Sequence, residues 1–94
     1  MTWFKKFGFD KFGRDEYCQY FCGFKVSLIR LDNSYTNDPC RWVCRIESVG
    51  VRVAADTAED AFSNAMQELK NHLVKQIEAD KRQISEIDEI LDGI

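Results

Sequence analysis

A chain of 94 residues with 45% hydrophobic and 31% charged residues has the composition of one folded domain, residues 1–94, and not of a disordered segment. Its net charge of −3 is divided unevenly, because residues 1–54 carry nine basic and six acidic side chains whereas residues 55–94 carry four and ten. No apolar run reaches the roughly 18–20 residues of a membrane span, and the N-terminus lacks the apolar stretch of a signal peptide, so we expect a cytoplasmic protein.

The first segment, residues 1–21, is an aromatic and basic arm. It contains a near-repeat, residues 6–10 followed by 11–15, whose glycines argue against a helix over that stretch. Aromatic rings between cations suit three roles: covering the sheet as part of the core or of a dimer, stacking on single-stranded nucleic acid, or contacting a protein or membrane. The side chains that would contact nucleic acid or a partner are Trp3, Lys5, Lys6, Lys11 and Arg14.

Three strands are predicted within residues 22–55. Apolar and polar residues alternate from 24 to 31, from 41 to 46 and from 49 to 53. The polar segment 32–39, which ends in Pro39, has the composition of a loop. Short connections between the strands favour an antiparallel meander.

One long helix is predicted over residues 56–92, which contain neither proline nor glycine. Asp56 followed by Glu59 has the spacing of a capping box. A straight helix of this length measures about 55 Å and would overhang a domain roughly 32 Å across. The predicted fold is therefore α+β: a three-stranded antiparallel sheet with an aromatic N-terminal arm and one long C-terminal helix that packs on the sheet and extends beyond it.

The overhanging part of this helix carries a second apolar series at steps of seven, three and four, with Asp80 interrupting its start. A seam at heptad spacing that its own domain cannot cover predicts self-association, with a dimer favoured and a trimer left open. A different protein partner and fraying of the unpartnered helix are the alternatives. The predicted interface residues are Ile77, Ile84, Ile87, Leu91 and Ile94.

Four cysteines form two C-x3-C pairs, Cys18 with Cys22 and Cys40 with Cys44. Four thiolates can hold zinc, but residues four apart on a strand lie about 13 Å apart, so we expect reduced cysteines and no cofactor. The twin spacing resembles the small mitochondrial intermembrane-space chaperones, in which the pairs form disulfides in a helical hairpin. This sequence departs from that family because residues 24–31 and 41–53 alternate as strands do.

The predicted order of three strands and a helix looks like the core of double-stranded-RNA-binding domains and of HicB-type antitoxins, with residues 51–73 similar to the strand-to-helix entry of the latter. The lysine-rich helix start of an RNA-binding domain is absent, and no catalytic motif is found, so we expect no enzyme. The sequence predicts a small interaction or regulatory protein that self-associates through its C-terminal helix and binds a macromolecular partner, as an antitoxin or a phage-type inhibitor or adaptor does. The alternative is a small nucleic-acid-binding protein that uses the arm and the sheet.

Overall fold

An antiparallel sheet with helices on one of its faces makes up the fold, in a computed structural model that describes residues 2–13, 15–31, 41–75 and 81–93. None of the described helices is long and apolar enough to cross a membrane. A turn of 3₁₀ helix, Glu47–Val49, precedes the last strand. The elements in chain order are α1 (Thr2–Lys6), β1 (Asp10–Lys11), β2 (Glu16–Phe21), β3 (Phe24–Arg30), β4 (Trp42–Ile46), β5 (Val51–Ala55), α2 (Ala58–Val74) and α3 (Lys81–Asp92).

The sheet has five strands in the order β1-β2-β3-β4-β5, with every neighbouring pair antiparallel. The predicted α+β class and antiparallel meander are confirmed, and β3, β4 and β5 correspond to the predicted strands. The prediction of only three strands was wrong, because β1 and β2 lie within the segment assigned to the arm. The predicted loop 32–39 lies outside the described residues.

Two features of β2 explain why the sequence pattern did not predict it. Gln19 faces the same side of the sheet as the fully buried Val26 opposite it, so the inward row of β2 is not uniformly apolar. Its amide is satisfied locally, because Nε2 donates to the Gly8 carbonyl at 2.6 Å and Oε1 accepts from the Tyr20 backbone at 2.7 Å. The turn into β3 places Cys22 and Gly23 at φ of 54° and 81°, as a type I′ hairpin requires, although Asn-Gly is the usual signal.

Gly8 approaches the end of the Gln19 side chain closely. Its φ is 74°, and a Cβ atom there would displace the Gln19 amide from its hydrogen bond with the Gly8 carbonyl. Gly13 has a similar φ of 67° but open space around it. We expect Gly8→Ala to lower the free energy of unfolding by about 2–4 kcal/mol and Gly13→Ala by only about 1 kcal/mol, both measured by urea denaturation. Equal losses in the two variants would contradict the packing of Gln19 against Gly8.

The core fills the space between the inner face of the sheet and the helices. Phe62 of α2 stands at its centre and has four aromatic rings around it, with centroids 5.2–5.7 Å away. All four belong to the N-terminal half of the chain, so the arm and the first hairpin are part of the core. These rings are those of Trp3, Phe7, Phe9 and Phe21.

The prediction of a single long helix was wrong. Helix α2 begins after Thr57, whose Oγ1 accepts from the Asp60 backbone at 3.1 Å, and it ends at Val74. Helix α3 then packs against α2, and Lys70 forms an ion pair with Asp88. In one straight helix these two side chains would be separated by about 27 Å. The longest dimension of the structure is 43 Å, so the predicted helix of about 55 Å does not fit within it.

Candidate functional site

The residues predicted to form an oligomer interface lie mostly against the chain's own core. Ile87 has 0% of its surface exposed, and Ile84 and Leu91 are partly buried against the same core cluster. Ile77 and Ile94 lie outside the described residues. Burial within the chain accounts for the apolar face of α3 without a partner. An interface at this series stays a prediction, and the Ile87 side chain is not accessible to it.

Polar contacts at both ends of α3 hold it in this position. The Gln83 side-chain amide donates to the Cys22 carbonyl at 3.0 Å, and the Cys22 thiol donates to Glu86 Oε2 at 3.3 Å. At the other end, Lys6 Nζ donates to the Gly93 carbonyl at 3.0 Å. Helix α3 is therefore fastened to the β2–β3 turn and to α1, in addition to α2.

The arm residues predicted to contact nucleic acid or a partner lie in different environments. Trp3 is partly buried and stacks on Phe4, with centroids 4.3 Å apart, so its ring serves the core. Lys5, Lys6 and Lys11 are exposed, but Lys6 is engaged with the C-terminal end of α3. Arg14 lies outside the described residues. The structure supports the interpretation of the arm as a cover for the core.

The three described cysteines do not gather at one place. Cys18 and Cys44 lie on opposite faces of the sheet, because Cys18 faces Ser27 across the ladder and Cys44 faces the next residue, Leu28. Cys18, Cys22 and Cys44 are free thiols, and no metal-ligating cluster occurs among the described residues, which exclude Cys40. Burial raises the pKa of Cys22 and of Cys44 to about 12, with Glu86 adding to the effect at Cys22. Thiols that stay protonated are poor metal ligands and poor nucleophiles.

The face of the sheet opposite the helices, which we call the outer face, is the most distinctive free surface. It combines aromatic, basic and small apolar side chains from all four long strands. The ladder register assigns them to one side, and the backbone pairing of Phe12 with Glu16 brings Phe12 to the same side. The outer face consists of Asp10, Phe12, Glu16, Cys18, Tyr20, Lys25, Ser27, Ile29, Val43, Arg45, Arg52 and Ala54.

Large exposed rings stand beside a recessed floor on the outer face. Tyr20 and Phe12 expose 66% and 58% of their surfaces, whereas Ser27 and Val43 are buried at the floor. Lys25 Nζ lies 5.4 Å from the centroid of the Phe12 ring, a cation–π arrangement. A depression of about 320 Å³ opens over one part of this face. Its lining includes Glu16, Tyr20, Lys25, Ser27, Arg45 and Glu47.

Arg45 has unused hydrogen-bonding capacity at this depression. Its Nη2 lies 3.6 Å from Glu47 Oε1, which is longer than a good charge-assisted hydrogen bond. Its Nε is buried and has no acceptor among the described residues. A guanidinium with donors to spare can receive a carboxylate or phosphate group, and such pairs are strongest when they are bidentate.

The sequence pattern did not predict the outer face, because two of its residues, Tyr20 and Phe12, lie in parts of the sheet that the pattern missed. Tyr20 belongs to β2 and Phe12 follows β1, and both had been assigned to the arm. Arg45, by contrast, stood at a predicted outward position of a predicted strand.

Comparison with known proteins gives no family for this chain. No family model matches the chain, and neither a curated protein nor a solved structure shows significant similarity to it.

Proposed function

We propose that this chain is a small, non-catalytic interaction protein that binds an acidic surface of a protein partner through its outer sheet face. The observation that carries the proposal is that the exposed Tyr20 ring and the partly exposed Arg45 guanidinium line the same depression. Tyrosine and arginine are the residue types that most often dominate the energy of protein interfaces. The pair therefore has the chemistry of a binding hot spot.

The surroundings of this pair support a protein interface. Ile29 and Ala54 provide small apolar area on the same face, and Lys25 and Arg52 place cations around it. An apolar patch with a charged rim is the usual anatomy of an interface between proteins. Three carboxylates, Asp10, Glu16 and Glu47, balance the three cations of this face, so the acidic character of the partner is inferred from the Arg45 guanidinium alone.

The helix-bearing side of the molecule is acidic. Glu59, Asp60, Glu68, Glu89 and Asp92 are exposed on α2 and α3. These carboxylates repel an acidic partner from the helices, which leaves the sheet as the more favourable side for it. The chain would then act in the cytosol by occluding or scaffolding its partner, as an antitoxin or a phage-type inhibitor or adaptor does.

Binding of single-stranded nucleic acid is the second candidate, and the exposed Phe12 ring favours it. Phe12 and Tyr20 offer two stacking surfaces, while Lys25, Arg45 and Arg52 are available for phosphates. This combination is common to sequence-tolerant single-strand binders. The net charge of −3 weighs against it, because non-specific nucleic-acid binding depends on neutralising phosphates.

A face-directed variant tests the proposal. Affinity capture from source-cell lysate, with and without nuclease, would compare the wild type with Tyr20→Ala/Arg45→Glu. The matched control, Val74→Ala/Lys75→Glu, removes an exposed apolar side chain and reverses a cation on α2 and at its end. We expect the face variant to bind the purified captured protein at least about tenfold more weakly by calorimetry and the control to bind it like the wild type.

The same experiment separates the two candidates. Capture that survives nuclease and depends on Tyr20 and Arg45 supports the protein partner. Capture that is lost with nuclease supports the second candidate, which fluorescence anisotropy with a single-stranded oligonucleotide would then confirm through its salt dependence. Equal capture by the face variant and the control would overturn the outer face as the binding surface.

A further inference from the structure

Three hydrogen-bond donors lie side by side in a row that crosses the outer face at right angles to its strands. Ser27 of β3 is directly opposite Arg45 of β4, and Arg45 is directly opposite Arg52 of β5. Residues that face each other in this way have Cβ atoms about 5 Å apart, so the row is only about 10 Å long. Since arginine side chains are long, one small group of a partner can reach the whole row.

Two arginines directly opposite each other are unfavourable without an anion, because like charges at facing positions destabilise a sheet. Arg52 is exposed, and its side chain has no ion pair or hydrogen bond within the described ranges. Arg45 lies 3.6 Å from Glu47, whose side chain is 81% exposed, so solvent weakens this pair. An anion bound between the two guanidinium groups would relieve their repulsion.

Ser27 supplies a third donor, which is buried and yet unpartnered. Only 8% of its surface is exposed, and its hydroxyl has no hydrogen-bond partner among the residues that the structure describes. Ser27 lines the outer-face depression together with Arg45. Because buried hydroxyl groups are normally hydrogen-bonded, Ser27 is suited to an acceptor that enters the depression.

The charges around this row are mainly positive, although those of the whole outer face balance. Lys25 and Glu47 each lie two residues along a strand from the row, so three cations and one carboxylate are close together. Glu16, at the far wall of the depression, and Asp10 belong to strands two and three places away from β4. Their backbones are therefore about 12–14 Å from that of Arg45, a distance at which surface charges are largely screened.

Building on the proposed function, we infer that the acidic group of the partner is a phosphate monoester on a phosphorylated side chain, bound by Ser27, Arg45 and Arg52. A phosphate monoester has a charge of about −1.5 to −2 and three acceptor oxygens. It matches the two guanidinium groups in charge and the three donor residues in number, whereas a carboxylate offers one charge and two oxygens. Clustered arginines are a recurring means of binding phosphorylated segments.

Nuclear magnetic resonance of the arginine Nε–Hε groups tests the site without a partner. The probes are N-acetyl-phosphoserine amide and, for the carboxylate, N-acetyl-aspartate amide. We expect the phosphoserine probe to shift the Arg45 and Arg52 signals with a dissociation constant of about 1–5 mM and the aspartate probe to bind at least about fivefold more weakly. Equal binding of the two probes, or no saturable shift with the phosphoserine probe, would overturn the assignment.

Arg52→Gln and Arg30→Gln form a matched pair of variants. Arg30 is exposed and lies on the opposite side of the sheet from Ile29 and Arg52, so its replacement changes the net charge equally. We expect Arg52→Gln to weaken binding of the phosphoserine probe at least about threefold and Arg30→Gln to change it by less than about twofold. Far-ultraviolet circular dichroism reports the fold of each. Equal weakening in both would show attraction by net charge only and would overturn the site.

Phosphatase treatment of the captured partner separates this inference from the proposed function. We expect the treated partner to bind the wild type at least about tenfold more weakly by calorimetry, and Arg52→Gln to bind treated and untreated partner with similar affinity. Phosphatase sensitivity that persists in Arg52→Gln would overturn the site, because the phosphate would then lie elsewhere.

The remaining outcomes distinguish the two ideas. Binding that survives phosphatase but depends on Tyr20 and Arg45 would overturn the phosphate and leave the proposed function standing. Binding that neither phosphatase nor Tyr20→Ala/Arg45→Glu affects would overturn both. Capture that is lost with nuclease would overturn the phosphorylated protein in favour of the phosphates of a nucleic acid.

Discussion

Replacement of Phe62 with alanine is expected to lower the free energy of unfolding by about 3–5 kcal/mol, as measured by urea denaturation. Phe62 is fully buried and contacts the rings of Trp3, Phe7, Phe9 and Phe21. Its loss removes a large apolar side chain and leaves a cavity that rigid aromatic neighbours fill poorly. Since domains are stable by only about 5–15 kcal/mol, the variant would be partly unfolded under mild conditions.

Phe12→Ala is the matched control, because it removes the same side chain from an exposed position. Its effect on unfolding should stay within about 0.5 kcal/mol. A Phe62→Ala variant as stable as Phe12→Ala would contradict the placement of the arm in the core. The aromatic residues of the arm would then be available as a binding surface.

Ile87→Ala is expected to cost about 2–5 kcal/mol of stability, and the loss should not depend on protein concentration. Ile87 is fully buried in the core cluster, between helix α3 and the rest of the chain. A residue of a self-association seam would behave differently, because its truncation would shift the oligomer equilibrium and affect stability only through it. Urea denaturation at two protein concentrations, together with ultracentrifugation, distinguishes the two roles.

Val74→Ala serves as the control for Ile87→Ala. Val74 is an exposed apolar residue at the end of α2, so its truncation should change stability by less than about 0.5 kcal/mol. An Ile87→Ala variant with wild-type stability but a lower mass in solution would show that the isoleucine series is an interface. That result would contradict the packing of α3 on its own chain.

The sequence predicted the middle of the fold well because its signals there are local. The alternation over residues 24–31 and 41–46 correctly predicted β3 and β4. The helix after β5 begins at a capping residue, although the cap is Thr57 and not the predicted Asp56. Strand β2 was missed because its inward Gln19 is satisfied by the Gly8 carbonyl, a contact that depends on tertiary structure.

The C-terminal helix was mispredicted because helix propensity does not report tertiary packing. Nothing between residues 56 and 92 breaks a helix by composition, and the size argument assumed a straight one. Packing of α3 on the rest of the chain buries Ile87 fully and Ile84 and Leu91 partly. A fully buried side chain of this size contributes about 1.5–3 kcal/mol, a gain that local helix propensity does not include. The described members of the apolar series, Ile84, Ile87 and Leu91, pack on the chain's own core.

The position of α3 determines which surfaces remain for partners. With the isoleucines of α3 turned toward the core, the outer sheet face is the surface that we propose for binding. The exposed Tyr20 and the partly exposed Arg45 mark this surface. Its role therefore depends on the return of α3 onto its own chain.

Nuclear Overhauser spectroscopy on a mixture of isotope-labelled and unlabelled wild-type chains tests this packing of α3 most directly. The Gln83 side-chain amide lies 3.0 Å from the Cys22 carbonyl, a contact that a straight helix extending beyond the sheet would not make. We expect contacts between the Gln83 amide protons and the Cys22–Gly23 turn within one labelled chain. Their absence, or their appearance only between labelled and unlabelled chains, would contradict this packing.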